Sequence, residues 1–153
     1  MPERPRGYAA RIDLLATRSR VWQALTDPQL LKQWYAQEAR VAARLNGGYW
    51  VRLGPKFERE AHIDVFDVER RLRLIYMQPP GLPEGESAIV EDFLLDDEGG
   101  GTVLRVLGSG VPGAPEWNML FMLLKTGWER ALPRLKIAVE RRDKDIRGEA
   151  PAR

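Results

Sequence analysis

An apolar side chain recurs at every third or fourth position through the last third of the sequence. The stripe comprises Trp117, Phe121, Leu124, Trp128, Leu132, Leu135 and Val139. Steps of three and four residues return to the same face of an α-helix, so the spacing predicts a helix of roughly 25 residues with one apolar face. Pro115 suits the first turn of this helix, whereas Pro133 lies inside it and predicts a kink. Such a helix must bury its apolar face against the rest of the chain.

The residues before this helix predict mainly strands. Tyr8–Leu15 is a first strand, because apolar and polar side chains alternate along it. Two short helices follow, Arg18–Thr26 after the N-cap Thr17 and Pro28–Trp34 after Asp27. Six more strands are predicted at Glu38–Leu45, Tyr49–Leu53, Glu58–Glu69, Leu72–Tyr76, Ala88–Leu95 and Thr102–Ser109. Consecutive strands joined by short turns favour an antiparallel meander.

The composition is that of one soluble globular domain. The chain has 153 residues, 44% of them apolar, which is enough to bury a sizeable core. It has no cysteine, which excludes disulfides, thiolate nucleophiles and cysteine-ligated zinc and agrees with a cytoplasmic location. No apolar run approaches the roughly 20 residues of a membrane span, and the first residues lack the apolar stretch of a signal peptide.

The charge distribution and the missing motifs exclude several classes of partner. The net charge is +2, and the basic excess lies in residues 1–7 and 141–153, so that residues 8–140 are close to neutral. This pattern does not predict nucleic-acid binding. The single histidine, His62, is predicted to point outward and cannot build a zinc site alone. The glycine run 99–101 follows acidic residues that would repel phosphate. We therefore expect no metal and no cofactor.

Several local segments resemble one family. They are Arg20-Val21-Trp22-Gln23-Ala24-Leu25-Thr26-Asp27-Pro28 followed by Trp34, Gly47-Gly48-Tyr49-Trp50, Glu69-Arg70-Arg71-Leu72, Gly101-Thr102, Ser109-Gly110, and Gly127-Trp128 with Leu132 and Arg134-Leu135. In this order, from about Tyr8 to Glu140, the sequence resembles the START-like (SRPBCC) superfamily and, within it, the activator of heat-shock-protein-90 ATPase homologue-like family. The resemblance implies an α+β helix-grip (START-like/Bet v-like) fold, in which a curved antiparallel sheet of about seven strands surrounds a long C-terminal helix with a cavity between them. We expect one domain over residues 8–140, with flexible tails at 1–7 and 141–153.

The alternation within each strand predicts which side chains face this cavity. Glu91 shares a face with apolar Ile89 and Phe93. The resemblance to the family favours Trp50 and Arg52 as the inward-facing residues of their strand. The predicted ligand-binding residues are Trp50, Arg52, Tyr76, Glu91, Phe93, Trp117, Phe121 and Trp128. The same aromatic residues could simply fill the core.

Glu91 and Arg52 are the informative members of this set. A charge that faces an apolar interior costs several kcal/mol unless it is paired or hydrated. The meander leaves two strands between Arg52 and Glu91, so each needs water, a ligand or another partner. A shift of one residue in the alternation would instead place both in solvent.

Three functions are compatible with these observations. The leading interpretation is a non-enzymatic binding protein, monomer or homodimer, for a lipophilic or aromatic small molecule held in the internal cavity. An alternative is an enzyme of the polyketide cyclase/hydrolase type, with Glu91 as general base and Arg52 or Tyr76 polarising a carbonyl. The third, suggested by the resemblance alone, is a co-chaperone-like module that binds a chaperone.

Overall fold

The structure, a computed structural model, describes residues 4–85 and 87–152, with side chains described as far as residue 141. The elements are β1 (Arg6–Leu14), α1 (Arg18–Thr26), α2 (Pro28–Trp34), β2 (Glu38–Val41), β3 (Gly48–Gly54), β4 (Phe57–Asp67), β5 (Arg71–Tyr76), β6 (Val90–Glu98), β7 (Gly101–Val111), a single 3-10 turn (Pro115–Trp117) and α3 (Asn118–Ala152). In this part of the chain, no helix is long and apolar enough to cross a membrane.

The seven strands form one antiparallel sheet in the order β1-β7-β6-β5-β4-β3-β2. From β2 to β7, each strand pairs with the next one in sequence. Strand β1 pairs with β7, so β1 and β2 are the two edge strands of the sheet. This arrangement, together with the two short helices after β1 and the long last helix, confirms the predicted helix-grip fold.

Side-chain caps begin both short helices. The Thr17 hydroxyl accepts a hydrogen bond from the Arg20 amide at 3.2 Å and begins α1. The Asp27 carboxylate accepts one from the Gln29 amide at 2.8 Å and begins α2, with proline at the first helical position. The Trp34 indole then donates to the Ala24 carbonyl at 2.9 Å, which fixes one helix against the other.

The apolar stripe of α3 packs toward the sheet as its spacing predicts. Its buried members are Trp117 in the preceding turn, Leu124, Trp128, Leu132, Leu135 and Val139, while Phe121 is partly buried. Farther along, Glu140 accepts a hydrogen bond from the Leu15 amide at 2.9 Å, so the helix is also held at the end of β1.

Several strand and helix boundaries differ from the predicted ones, and two of the differences concern the predicted tails. Strand β1 begins at Arg6, whose guanidinium donates to the Pro112 carbonyl at 2.7 Å and to the Asn118 side chain at 2.7 Å. Residues 6 and 7 therefore belong to the sheet, and residues 1–3 of the predicted first tail lie outside the described residues. Helix α3 continues through Pro133 to Ala152 instead of ending near residue 140. The side chains of the predicted second tail after Arg141 also lie outside the described residues, and the domain limits 8–140 stay a prediction.

The predicted alternation in β3 is wrong by one residue. Tyr49 and Val51 are buried, whereas Trp50 and Arg52 lie on the outer face. The cause is the register with β2, which pairs Trp50 with Arg40 and Arg52 with Glu38. Side chains directly opposite each other on paired strands share a face.

These outward residues find partners in their own hairpin. The Arg40 guanidinium lies 4.4 Å from the centre of the Trp50 ring, and Arg52 forms an ion pair with Glu38. Neither Trp50 nor Arg52 reaches the interior.

Candidate functional site

A buried carboxylate lies at the centre of the molecule, between the sheet and α3. Glu91 in β6 is fully buried, as the alternation of its strand predicts. An ionised carboxylate is retained in such a place only when hydrogen bonds and an opposite charge replace its lost hydration.

Four side chains from four different elements donate to this carboxylate. Tyr76 donates to Oε1 at 2.7 Å, and the Trp128 indole donates to Oε2 at 2.8 Å. Arg59 Nη1 lies 3.1 Å from both oxygens, and the Tyr8 hydroxyl donates to Oε2. A carboxylate offers about four lone-pair sites, so the five contacts leave none for the proton of a substrate.

The approach of Tyr8 depends on a glycine. Tyr8 in β1 and Glu91 in β6 are both register partners of Gly108 in the intervening strand β7. A Cβ atom at position 108 would lie 2.0 Å from the Tyr8 ring, which is a severe steric clash. The tyrosine ring crosses the middle strand through the space that a side chain would otherwise occupy.

Arg59 in β4 is the counter-ion of Glu91, and sequence reasoning did not identify it. Only 7% of the residue is exposed. Its guanidinium also lies 3.8 Å from the centre of the Tyr76 ring and donates to the Tyr35 hydroxyl at 3.4 Å. The sequence does contain an indication that Arg59 points inward, because Arg59 shares one face of its strand with the apolar residues Ala61 and Ile63.

The electrostatics of the cluster keep its tyrosines neutral. Burial raises the pKa of Tyr35 to about 12, an effect that Arg59 opposes and Glu91 reinforces. For the same main reason, burial, the pKa values of Tyr8, Tyr49 and Tyr76 lie well above the ordinary value. These hydroxyls therefore remain hydrogen-bond donors throughout the physiological pH range.

A cleft of about 240 Å³ opens beside the cluster, between α3 and the β3–β4 hairpin. Its lining residues are Tyr35, Leu53, Phe57, Arg59, Leu123, Leu124, Thr126, Gly127, Trp128, Arg130, Ala131 and Arg134. The Tyr35 and Trp128 rings stack in its wall with centres 4.8 Å apart and planes inclined by 16°. The sequence predicted a largely apolar cavity under the helix, whereas here the space beneath α3 holds the Glu91 cluster and the cleft lies to its side.

The predicted site residues therefore separate into three groups. Glu91, Tyr76 and Trp128 meet in the buried cluster, and the Phe93 ring packs edge-on against Trp128 at 5.4 Å between centres. Trp117 lines a second, smaller opening of about 220 Å³ that Tyr76 also reaches, and Phe121 packs against Tyr8. Trp50 and Arg52 form the third group, on the outer face of the sheet.

No cluster of three or more metal-ligating side chains occurs among the described residues. Arg52 is one of the two residues that the enzymatic alternative uses beside Glu91, and it is instead paired with Glu38 on the opposite face of the sheet. Tyr76, the other one, does contact Glu91. The geometry offers a cleft whose floor is the buried polar cluster around Glu91.

Comparison with known protein families identifies the family of this chain. The sequence model described as "Activator of Hsp90 ATPase homolog 1-like protein" matches residues 15–140. The chain belongs to this family. No curated protein matches the sequence.

Solved structures share the fold across nearly the whole length of this AHSA1-like chain. Protein MLL2253 from Mesorhizobium loti is 18% identical with a TM-score of 0.78, over 89% of this chain and 98% of that one. The Aha1 dimer from Colwellia psychrerythraea is 19% identical with a TM-score of 0.75, over 88% and 96%. CalU16 from Micromonospora echinospora is 24% identical with a TM-score of 0.69, over 95% and 85%. At these identities the similarity establishes the fold alone.

Proposed function

We propose that this AHSA1-like protein binds a small lipophilic or aromatic molecule in the cleft between α3 and the β3–β4 hairpin. The observation that carries the proposal is the combination of an apolar, aromatic wall with a buried polar floor. Ligand pockets commonly have this composition, in which a few fixed polar groups orient a mainly apolar guest.

The wall supplies the surface for an aromatic guest. Leu53 and Phe57 come from the hairpin and Leu124 from the helix, and the stacked Tyr35 and Trp128 rings add a flat face. Offset or edge-on contacts with such rings stabilise an aromatic guest by more than the burial of its apolar surface alone.

The size of the cleft limits the guest. Its 240 Å³ lie slightly below the roughly 300–1,000 Å³ of ordinary ligand pockets. A guest with two fused rings is therefore a better match than a long acyl chain or a tetracyclic compound, unless part of the guest extends beyond the mouth.

Gly127 provides a direct test, because a Cβ at this position would meet no atom within 4 Å. We expect Gly127→Leu to fill the cleft without disturbing the fold and to weaken binding of 2-naphthamide by at least about tenfold, or about 1.4 kcal/mol. Gly127→Ala is the matched control, since it gives the same gain in helix propensity with only a methyl group.

Saturation-transfer NMR with 2-naphthamide detects even weak binding, and thermal melts check that both variants fold. Binding by the wild type and by Gly127→Ala but not by Gly127→Leu supports the proposal. No transfer to any of a panel of naphthalene derivatives, or equal transfer in both variants, contradicts it.

A further inference from the structure

We propose that the ligand of this cleft carries an acidic group, a carboxylate or its equivalent, which Arg59 orients and two further arginines attract. The inference rests on the proposed function and specifies the chemistry of the guest. Its basis is the distribution of charge and of unused hydrogen-bond donors around the cleft.

Arg59 presents donors that the protein does not use. All its described hydrogen bonds, to Glu91 and to the Tyr35 hydroxyl, start from Nη1. Nε and Nη2 have no acceptor among the described residues, and Arg59 is one of the residues that line the cleft. Two adjacent N–H groups in the plane of a guanidinium match the two oxygens of a carboxylate.

Glu91 fixes the orientation of these donors. Its two oxygens hold Nη1, and the Tyr76 ring lies against the guanidinium plane at 3.8 Å. A side chain held in this way loses little rotamer freedom on binding, which lowers the entropic cost of recognition.

The net charge of the cleft comes from Arg130 and Arg134. Both are exposed, lie one turn apart on α3 and line the cleft. Neither has an ion-pair partner in the described part of the chain, and no aspartate or glutamate lines the cleft. Because Glu91 already balances Arg59, these two arginines leave the cleft with an uncompensated positive charge that favours an anionic guest.

The Tyr35 hydroxyl adds one more donor at the same place. It accepts weakly from Arg59, its hydrogen has no described acceptor, and its ring lines the cleft. The raised pKa keeps this hydrogen in place at neutral pH. An acidic group next to Arg59 would thus meet three unused N–H or O–H donors.

A matched pair of probes tests the inference with the wild-type protein. 2-Naphthoate and 2-naphthamide have nearly the same shape, and only the first carries a charge. By isothermal titration calorimetry we expect the carboxylate to bind at least about tenfold more tightly, the ratio that a charge-assisted hydrogen bond produces. Raising the salt concentration should weaken binding of the carboxylate and leave that of the amide unchanged.

Variants of the exposed arginines locate the effect. Arg130→Gln combined with Arg134→Gln should weaken naphthoate binding by about threefold to tenfold, as expected for exposed charges, without altering naphthamide binding. Lys125→Gln is the control, because Lys125 is exposed on the same helix but does not line the cleft.

The outcomes separate the two proposals. Equal affinity for acid and amide, or tighter binding of the amide, overturns the inference and leaves the binding function standing. Failure of both probes overturns both. A preference for the acid that survives unchanged in the double arginine variant and at high salt also overturns the assignment to this cleft.

Discussion

Glu91 is stabilised in the interior because every acceptor position on its carboxylate is occupied. The same arrangement makes its partner dependent on it, since Arg59 is 7% exposed and has no other anion among the described residues. Pairing of this kind contributes little net stability compared with an apolar core, but removal of one partner leaves an isolated buried charge.

We expect Glu91→Gln to lower the free energy of unfolding by about 3–5 kcal/mol, the cost of breaking a buried ion pair. Urea denaturation with a constant m-value measures the loss. Glu60→Gln is the control, because Glu60 is exposed on β4 and should change stability by less than about 0.5 kcal/mol. A loss for Glu91→Gln as small as that of the control would show that the carboxylate does not hold a charged Arg59.

Among single residues, the sequence predicted the inward direction of Glu91, whereas for Arg59 it offered only a shared strand face with the apolar Ala61 and Ile63. Glu91 lies between apolar residues in a strand of clear alternation, so its inward direction follows from position alone. Arg59 is near the start of β4, where solvent exposure is the ordinary expectation for an arginine. Its partner is two strands away across β5, a distance only a long side chain spans, and no local pattern indicates such a pair.

Strand β3 shows the same limit of sequence-based prediction for a whole element, because its inner face was predicted wrongly. Its residues alternate regularly, yet two assignments of the inner face remain possible until the register with β2 is known. The hairpin turn sets that register, and in the structure β2 ends at Val41, so the turn is longer than the three residues left between the predicted strands Glu38–Leu45 and Tyr49–Leu53. Helix α3 had no such ambiguity, because its buried face is a property of its own spacing.

Pro133 lies on the exposed side of α3 and costs the helix one backbone hydrogen bond. We expect Pro133→Ala to raise the free energy of unfolding by about 2 kcal/mol. This is the helix cost of proline reduced by the entropy that proline removes from the unfolded chain.

The contrasting variant is Pro28→Ala at the first position of α2, where proline is favourable. It should be neutral or destabilising by no more than about 1 kcal/mol. Thermal and urea melts of both variants measure the difference. A Pro133→Ala protein no more stable than the wild type would show that α3 accommodates the proline at no cost.

At the scale of the whole molecule, the four tyrosines report on the integrity of the fold. They are Tyr8, Tyr35, Tyr49 and Tyr76, and they come from β1, the end of α2, β3 and β5. Each has a raised pKa because the fold buries it, so the native state opposes their ionisation as a group.

We therefore expect no tyrosinate absorbance from the native protein around pH 10, where free tyrosine titrates. Because the folded pKa values exceed the unfolded ones, this contribution to stability is complete below pH 10. It declines as the pH rises from 10 to about 12 and beyond. Spectrophotometric titration in buffer and in guanidinium chloride compares the two states. One or more tyrosines ionising near pH 10 in the native protein would contradict the described burial.

Among the strands that the structure describes, β1 pairs with β7 alone, at the edge of the sheet opposite β2. During synthesis on the ribosome, residues 6–14 therefore have no partner strand until β7, Gly101–Val111, has emerged. The hydrogen bond from Tyr8 joins it to Glu91, a residue 83 positions away, so this contact also requires the later strands. A nascent chain stopped before β7 would lack the edge onto which its own beginning docks.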